Sequence, residues 1–146
     1  MSYSTWSTNG YGVCVENLDF TLERLEELIS RAPEFESELK KYFNDEEIAT
    51  PSIYDYLEYD DDYSGGIAYI LKRVIQEAEN IELCYADDFN CNWYLLLEAS
   101  YPWYNTSQEE QNLTEKTIKE IIKKYISILT DKEVEFDYQC VQNGGW

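Results

Sequence analysis

Histidine is absent from this 146-residue chain, and its absence excludes much of the common catalytic chemistry. Without an imidazole there is no Ser–His or Cys–His arrangement, and no side chain that ordinarily titrates near neutral pH. Gly65 and Gly66 do not form a phosphate-binding loop, because they lack both an accompanying lysine and a preceding strand. We therefore expect a protein that is not an enzyme and needs no cofactor, with a carboxylate-based enzyme as the least favoured alternative.

Basic residues are scarce and unevenly placed. The chain has 11 Lys and Arg against 30 Asp and Glu, which gives a formal net charge of −19. No basic residue occurs in 42–71 or in 74–115. A surface of this sign repels nucleic acids and anionic membranes, and it attracts cations and proteins with basic clefts. The expected partner is a basic nucleic-acid-binding protein, with no direct contact to nucleic acid or membrane.

Long apolar runs and close cysteine pairs are also missing. No segment reaches the length of a membrane span, and the N-terminus has no apolar run of the signal-peptide type. The closest two of the four cysteines, Cys84 and Cys91, are seven positions apart, whereas structural zinc sites usually draw on pairs two to four residues apart. These features predict a cytoplasmic protein with reduced thiols and no metal site.

One acidic stretch partly matches a calcium-binding loop. Read from Asp60, the segment places Asp62 at position 3 and Ser64 at position 5, as an EF-hand does. The match fails at position 12, where the pattern requires a bidentate carboxylate and this chain has Leu71. We therefore interpret the stretch as an acidic loop before a helix, whose N-terminal dipole favours negative charge.

Hydrophobic periodicity divides the chain into helices and strands. Apolar side chains three to four residues apart predict helices, and alternation predicts strands. The predicted helices begin near Thr21, Pro33, Ser52, Gly66 and Thr114, and the predicted strands cover 11–16, 81–85, 92–99 and 133–141. Residues 1–10 and 142–146 are expected to lie outside the sheet. The expected fold is one α+β domain, 1–146, with a small, mainly antiparallel sheet of about four strands and helices packed on one face.

Two acidic surfaces are candidates for partner binding. Tyrosine and tryptophan are abundant, at 14 and 4 residues, and both are favoured at protein interfaces, although a coding bias would give the same excess. The favoured candidate, called here the acidic surface, comprises Asp45, Glu46, Glu47, Asp55, Tyr56, Glu58, Tyr59, Asp60, Asp61, Asp62 and Tyr63, with Tyr54 beside it. The alternative is the open face of the sheet, with Glu16, Glu82, Tyr94, Glu98, Glu133, Glu135 and Asp137.

These observations favour an inhibitor that acts by binding. In size, charge and lack of catalytic motifs the chain resembles phage-encoded anti-CRISPR and anti-restriction proteins, and it is similar in the same respects to bacterial immunity proteins that neutralise nuclease toxins. The resemblance is one of composition and involves no shared motif. It implies that carboxylates stand where the phosphates of a nucleic acid would bind. A regulatory or scaffold module unrelated to nucleic acid is the remaining alternative.

Overall fold

The described part of the chain forms a four-stranded sheet and five helices. The computed structural model describes residues 4–15, 18–58, 66–87, 93–98 and 108–145. In chain order the elements are β1 (Ser4–Cys14), α1 (Leu22–Ile29), α2 (Pro33–Asp45), α3 (Ile53–Leu57), α4 (Ile67–Glu79), β2 (Cys84–Asp87), β3 (Trp93–Glu98), α5 (Gln108–Leu129) and β4 (Asp137–Gly145). The predicted α+β class and small antiparallel sheet are confirmed.

The sheet has the strand order β2-β3-β1-β4, and each of its strand pairs is antiparallel. β2 and β3 form the predicted hairpin, with Cys84 opposite Leu96. β1 is central, because it pairs with β3 over 10–14 and with β4 over 4–12. The first and last strands of the chain therefore lie side by side.

The bounds of β1 and β4 differ from those expected from the sequence. β1 begins at Ser4, although residues 1–10 were expected to be a polar arm. β4 begins at Asp137 rather than at 133, and it continues through 142–145, which were expected to be a tail. The segment from Ser4 to Asn9 has no clear apolar alternation. It becomes a strand because a partner more than 130 residues away supplies the hydrogen bonds that its backbone requires.

The helices begin largely where the sequence predicts, and local caps explain why. The Thr21 hydroxyl accepts a hydrogen bond from the Arg24 backbone N–H at 3.3 Å, which caps α1. α2 starts with Pro33, but its cap comes from another helix: the Glu77 carboxylate of α4 accepts hydrogen bonds from the N–H groups of the next two residues, at 3.0 and 2.9 Å. α5 begins at Gln108, six residues earlier than expected.

One core joins the helices to one face of the sheet. Val13, Val15 and Leu95 form the sheet side of this core and are at most 1% exposed. The helix side consists of the predicted apolar stripes, which include Leu25, Leu28, Ile29, Phe35, Leu39, Ile70, Leu71, Val74, Ile75, Ile122, Ile126 and Leu129. Ala78 has the spacing of the α4 stripe, but it is exposed. Helix burial on one sheet face is therefore as predicted.

The other face of the sheet is curled and partly closed. The edge strands β2 and β4 approach each other to within 8 Å between Cα atoms, although two strands separate them in the hydrogen-bonding order. Leu96 on β3 and Val141 on β4 belong to this face and are 0% and 3% exposed. Gly12 of β1 lies opposite Leu96, whose Cδ2 would be 2.8 Å from a Cβ at the glycine. Glycine permits this close approach because it has no Cβ.

Candidate protein-binding surface

The first part of the acidic surface is the C-terminal end of α2. Asp45 is the last residue of the helix, Glu46 is its C-cap, and Glu47 follows in a left-handed conformation with φ 58°. The Ile48 N–H donates back to the Phe43 carbonyl at 2.8 Å, which closes the helix in the manner of a Schellman motif. All three acids are exposed. The chain reversal thus presents three consecutive carboxylates to solvent.

These three negative charges lie at a helix end where negative charge is destabilising. The C-terminus of a helix carries a partial negative charge, so acids there are destabilising and cations are favoured. α2 has no basic residue in its last turn. Within the described residues, Asp45, Glu46 and Glu47 form no ion pair. Their charges are therefore neither offset by the helix nor neutralised by a described neighbour.

The second part of the surface is α3, where Asp55 has a structural role. Ser52 caps this short helix, and the Asp55 carboxylate accepts hydrogen bonds from the Ser52 backbone N–H at 2.7 Å and from its hydroxyl at 3.1 Å. Both halves of a capping box are present. Asp55 is half-buried, so it contributes less free carboxylate to the surface than Glu58, which is exposed at the other end of α3.

Tyr56 anchors α3 to the helices below it. Its ring meets Phe43 edge to face with centroids 4.9 Å apart, and its hydroxyl donates to the Glu26 carboxylate at 3.4 Å. Burial, and then the negative charge of Glu26, raise the pKa of Tyr56 to about 12. Tyr56 is thus a neutral, half-buried support of the surface. Tyr54, which is 73% exposed, is the better aromatic contact for a partner.

The structure adds two acids that sequence reasoning missed. Glu26 of α1 and Glu36 of α2 line a small cavity of about 140 Å³ together with Tyr56. Lys40 also lines it and forms an ion pair with Glu36 at 3.3 Å. The two glutamates stand on solvent-facing helix positions, which a helical pattern reveals, but no sequence signal places them beside α3. The acidic surface therefore extends from α2 and α3 to Glu26 of α1, whereas Lys40 offsets the charge of Glu36.

Most of the described cations are neutralised within the chain. Among the described residues, six of the basic side chains form ion pairs with Asp or Glu, so their charges do not offset the acidic surface. These pairs are Arg24–Asp131, Arg31–Glu27, Lys40–Glu36, Arg73–Glu38, Lys124–Glu79 and Lys132–Asp19.

The alternative surface does not form the acidic row that the sequence predicted. Glu133 and Glu135 are exposed but precede β4, and Glu82 precedes β2. Of the predicted strand 133–141 the sheet includes 137–141, and Asp137 is the first residue of β4. The same face buries Leu96 and Val141, so it is not an open acidic sheet. Glu16 and the side chain of Glu98 lie outside the described residues.

The rest of the predicted site also lies outside the described residues. Tyr59, Asp60, Asp61, Asp62 and Tyr63 belong to this part of the surface. Leu71, at position 12 of the calcium-loop pattern, is described and is 0% exposed in the core. In the described ranges, no group of three or more potential metal-ligating side chains converges.

Comparison with protein-family models, with curated proteins and with solved structures finds no match to this chain. Among the described helices, none is both long enough and apolar enough to cross a membrane.

Proposed function

We propose that this protein is a non-catalytic inhibitor that binds a basic nucleic-acid-binding or nuclease protein and occupies its nucleic-acid site. In this proposal the acidic surface imitates the phosphates of a nucleic acid, as in anti-CRISPR and other phage anti-defence proteins. The protein itself binds no nucleic acid, because a net charge of −19 repels phosphates. A cytoplasmic location belongs to the same proposal.

The observation that carries this proposal is the acidic end of α2, whose carboxylates form no ion pair with a described side chain. Asp45, Glu46 and Glu47 are exposed, they oppose the helix dipole, and Glu47 also occupies a backbone conformation unfavourable to any residue but glycine or asparagine. Such an arrangement reduces local stability. The proposal rests on this arrangement, because carboxylates that no described residue pairs can pair with arginine and lysine of another protein.

The exposed Tyr54 complements these charges. Long-range attraction accelerates encounter, whereas aromatic side chains that become buried on binding slow dissociation. Tyr54 lies on α3, whose first turn is fixed by the Ser52–Asp55 capping box and which Tyr56 packs against Phe43 of α2. The acidic surface therefore offers both a charged rim and one aromatic contact on a fixed support.

The experiment has two steps. Immobilised protein is first used to capture partners from a cell lysate at low salt, with elution by increasing salt. Each captured protein is then purified, and its binding to duplex DNA and to RNA is measured with and without the inhibitor. We expect the nucleic acid and this protein to compete, with an inhibition constant that weakens as salt rises.

A matched pair of variants locates the surface. The triple variant Asp45→Asn, Glu46→Gln, Glu47→Gln removes three charges from the acidic surface. The control Glu133→Gln, Glu135→Gln, Asp137→Asn removes three charges elsewhere. We expect the first to slow association by about tenfold or more and the second to change it little. Equal effects, captured partners with no nucleic-acid activity, or direct binding of plain duplex DNA would contradict the proposal.

A further inference from the structure

A second cleft lies on α5, apart from the acidic surface. It has a volume of about 460 Å³ and lies between α5 and the segment 130–136 that leads into β4. The cleft opens where the pairing of β1 with β4 ends at Gly12 and Asp137, so that the chain before β4 separates from β1. Its volume is in the range of small-molecule sites, about 300–1,000 Å³.

The floor of this cleft is apolar and belongs to the protein core. Val13, Ile122 and Ile126 are 1%, 1% and 4% exposed, and they line it from below. Val134 and Phe136 close one side and are half-buried against the same core. An apolar body placed here would bury the remaining accessible surface of Val134 and Phe136 and rest on the closed floor.

The two walls carry opposite charges that do not meet. Lys119 and Lys123 of α5 stand on one side, and Glu133 and Glu135 stand on the other. All four are exposed, and none of them forms an ion pair with any described residue. The separation between each lysine nitrogen and each glutamate oxygen across the cleft is thus greater than 4.0 Å.

The segment 130–136 is held in place by contacts to α1 and to the residues just before α1. Arg24 donates to the Leu129 carbonyl at 3.2 Å and to the Asp131 carboxylate at 2.8 Å. Lys132 forms an ion pair with Asp19 at 2.7 Å, and its N–H donates to the buried Thr130 hydroxyl at 3.2 Å. The remaining charges of the rim, Asp131 and Lys132, are therefore occupied.

We infer that this cleft binds a zwitterion with an apolar body, whose anionic end meets Lys119 and Lys123 and whose cationic end meets Glu133 and Glu135. A simple anion would satisfy the lysines but approach two carboxylates, and a simple cation would do the reverse. A dipolar ligand satisfies both walls, and its apolar part covers the accessible parts of Val134 and Phe136 above the closed floor. A short hydrophobic peptide with free termini has this chemistry.

Calorimetric titration with the peptide Leu-Leu-Leu tests the inference, together with its N-acetylated and its C-amidated forms. We expect the free peptide to bind and each blocked peptide to bind about 2- to 5-fold more weakly, as for a partly exposed ion pair. In the variant Lys119→Met, Lys123→Met, the free and amidated peptides should bind equally, while the acetylated form stays weaker. In the variant Glu133→Gln, Glu135→Gln, the free and acetylated peptides should bind equally, while the amidated form stays weaker.

Two controls separate this result from a change in folding. Lys119→Arg with Lys123→Arg keeps the charge and should retain the preference for a free carboxylate. Lys41→Met removes a charge from an exposed position of α2 and should leave all three affinities unchanged. The inference is overturned if Leu-Leu-Leu does not bind up to its solubility limit, or if the three peptides bind equally well to the unmodified protein.

Discussion

Glu47 places a negative charge at a position where a residue with a side chain reduces stability. Its φ of 58° lies in the left-handed region, where a side chain crowds the following carbonyl at a cost of about 1–2 kcal/mol. The hydrogen bond from Ile48 to Phe43 requires the turn, so the helix cannot relax without losing this closure. Glycine is the usual residue at this position because it has no Cβ.

We therefore expect Glu47→Gly to stabilise the protein by about 1 kcal/mol, which corresponds to a rise in Tm of about 2–4 °C. The control is Glu46→Gly, because residue 46 has φ −88° and glycine gives no relief there. It removes the same charge and should lower Tm. Thermal unfolding followed by circular dichroism distinguishes the two variants. A Tm for Glu47→Gly at or below that of Glu46→Gly would show that the left-handed conformation carries no cost.

The buried Tyr125 and the half-buried Tyr56 make stability depend on pH in the alkaline range. Burial, followed by the hydrogen bond to Glu79 at 2.7 Å, raises the pKa of Tyr125 to about 12, and the pKa of Tyr56 is raised to about 12 as well. In the unfolded chain tyrosine ionises near its ordinary value of about 10. Above that value the unfolded state binds fewer protons than the folded state, so stability falls as pH rises.

We expect the stabilisation from these two tyrosines to be complete below pH 10 and lost progressively between about pH 10 and 12. Urea unfolding at a series of pH values measures this loss. Tyr125→Phe should reduce the slope over that interval, whereas Tyr54→Phe, which alters a ring 73% exposed, should leave it unchanged. A slope that is the same in Tyr125→Phe and in the unmodified protein would refute the assignment.

At the scale of elements, β1 decides the form of the sheet. It is central, it pairs with both β3 and β4, and Gly12 lies at the last residue pair shared with β4. A Cβ at Gly12 would overlap the Leu95 carbonyl oxygen and lie 2.8 Å from the Leu96 Cα and Cδ2. The backbone of β3 cannot yield easily, because it is bonded on both sides. The close approach of β3 therefore depends on glycine.

Gly12→Ala should destabilise the protein by about 1–3 kcal/mol, the range observed for overpacked interiors. Cys14→Ala changes a half-buried residue on the same face of the same strand, and it should cost less than the glycine substitution. Chemical denaturation of both variants provides the measurement. A neutral Gly12→Ala would indicate that the strands can separate at this point without loss.

At the scale of the whole molecule, the net charge determines how thermal stability changes with salt concentration. A formal charge of −19 on 146 residues produces self-repulsion that opposes the compact state. The ion pairs of the described residues are mostly exposed, and such pairs contribute little individually. Screening should therefore weaken repulsion more than it weakens attraction.

We expect Tm to rise when sodium chloride is increased from about 0.01 M to about 0.15 M, over which the Debye length falls from about 30 Å to about 8 Å. The variant Asp45→Asn, Glu46→Gln, Glu47→Gln should have a higher Tm at low salt and gain less from added salt. Differential scanning calorimetry at both concentrations provides the comparison. A fall in Tm with salt would mean that attractive pairs dominate instead.

The sequence alone determined the fold class, the helices and the charge. Apolar periodicity is a local signal, so Leu25, Leu39, Val74 and Ile122 could be assigned to the core before any contact was known. The acids at 45–47 were recognisable as a patch for the same reason, because consecutive residues at a helix end stay together. The failure of the calcium-loop pattern at Leu71 was also readable, since that residue belongs to the helix stripe.

Tertiary structure decided what depends on distant partners. Ser4–Asn9 became a strand through pairing with residues at the other end of the chain, and Glu77 became the cap of a helix that begins at Pro33. Glu26 joined Tyr56 across 30 positions, and the predicted acidic row on the sheet was replaced by the curled face around Gly12. Hydrogen-bond pairing and close packing act between surfaces that only the folded backbone brings together, and local periodicity does not encode which surfaces meet.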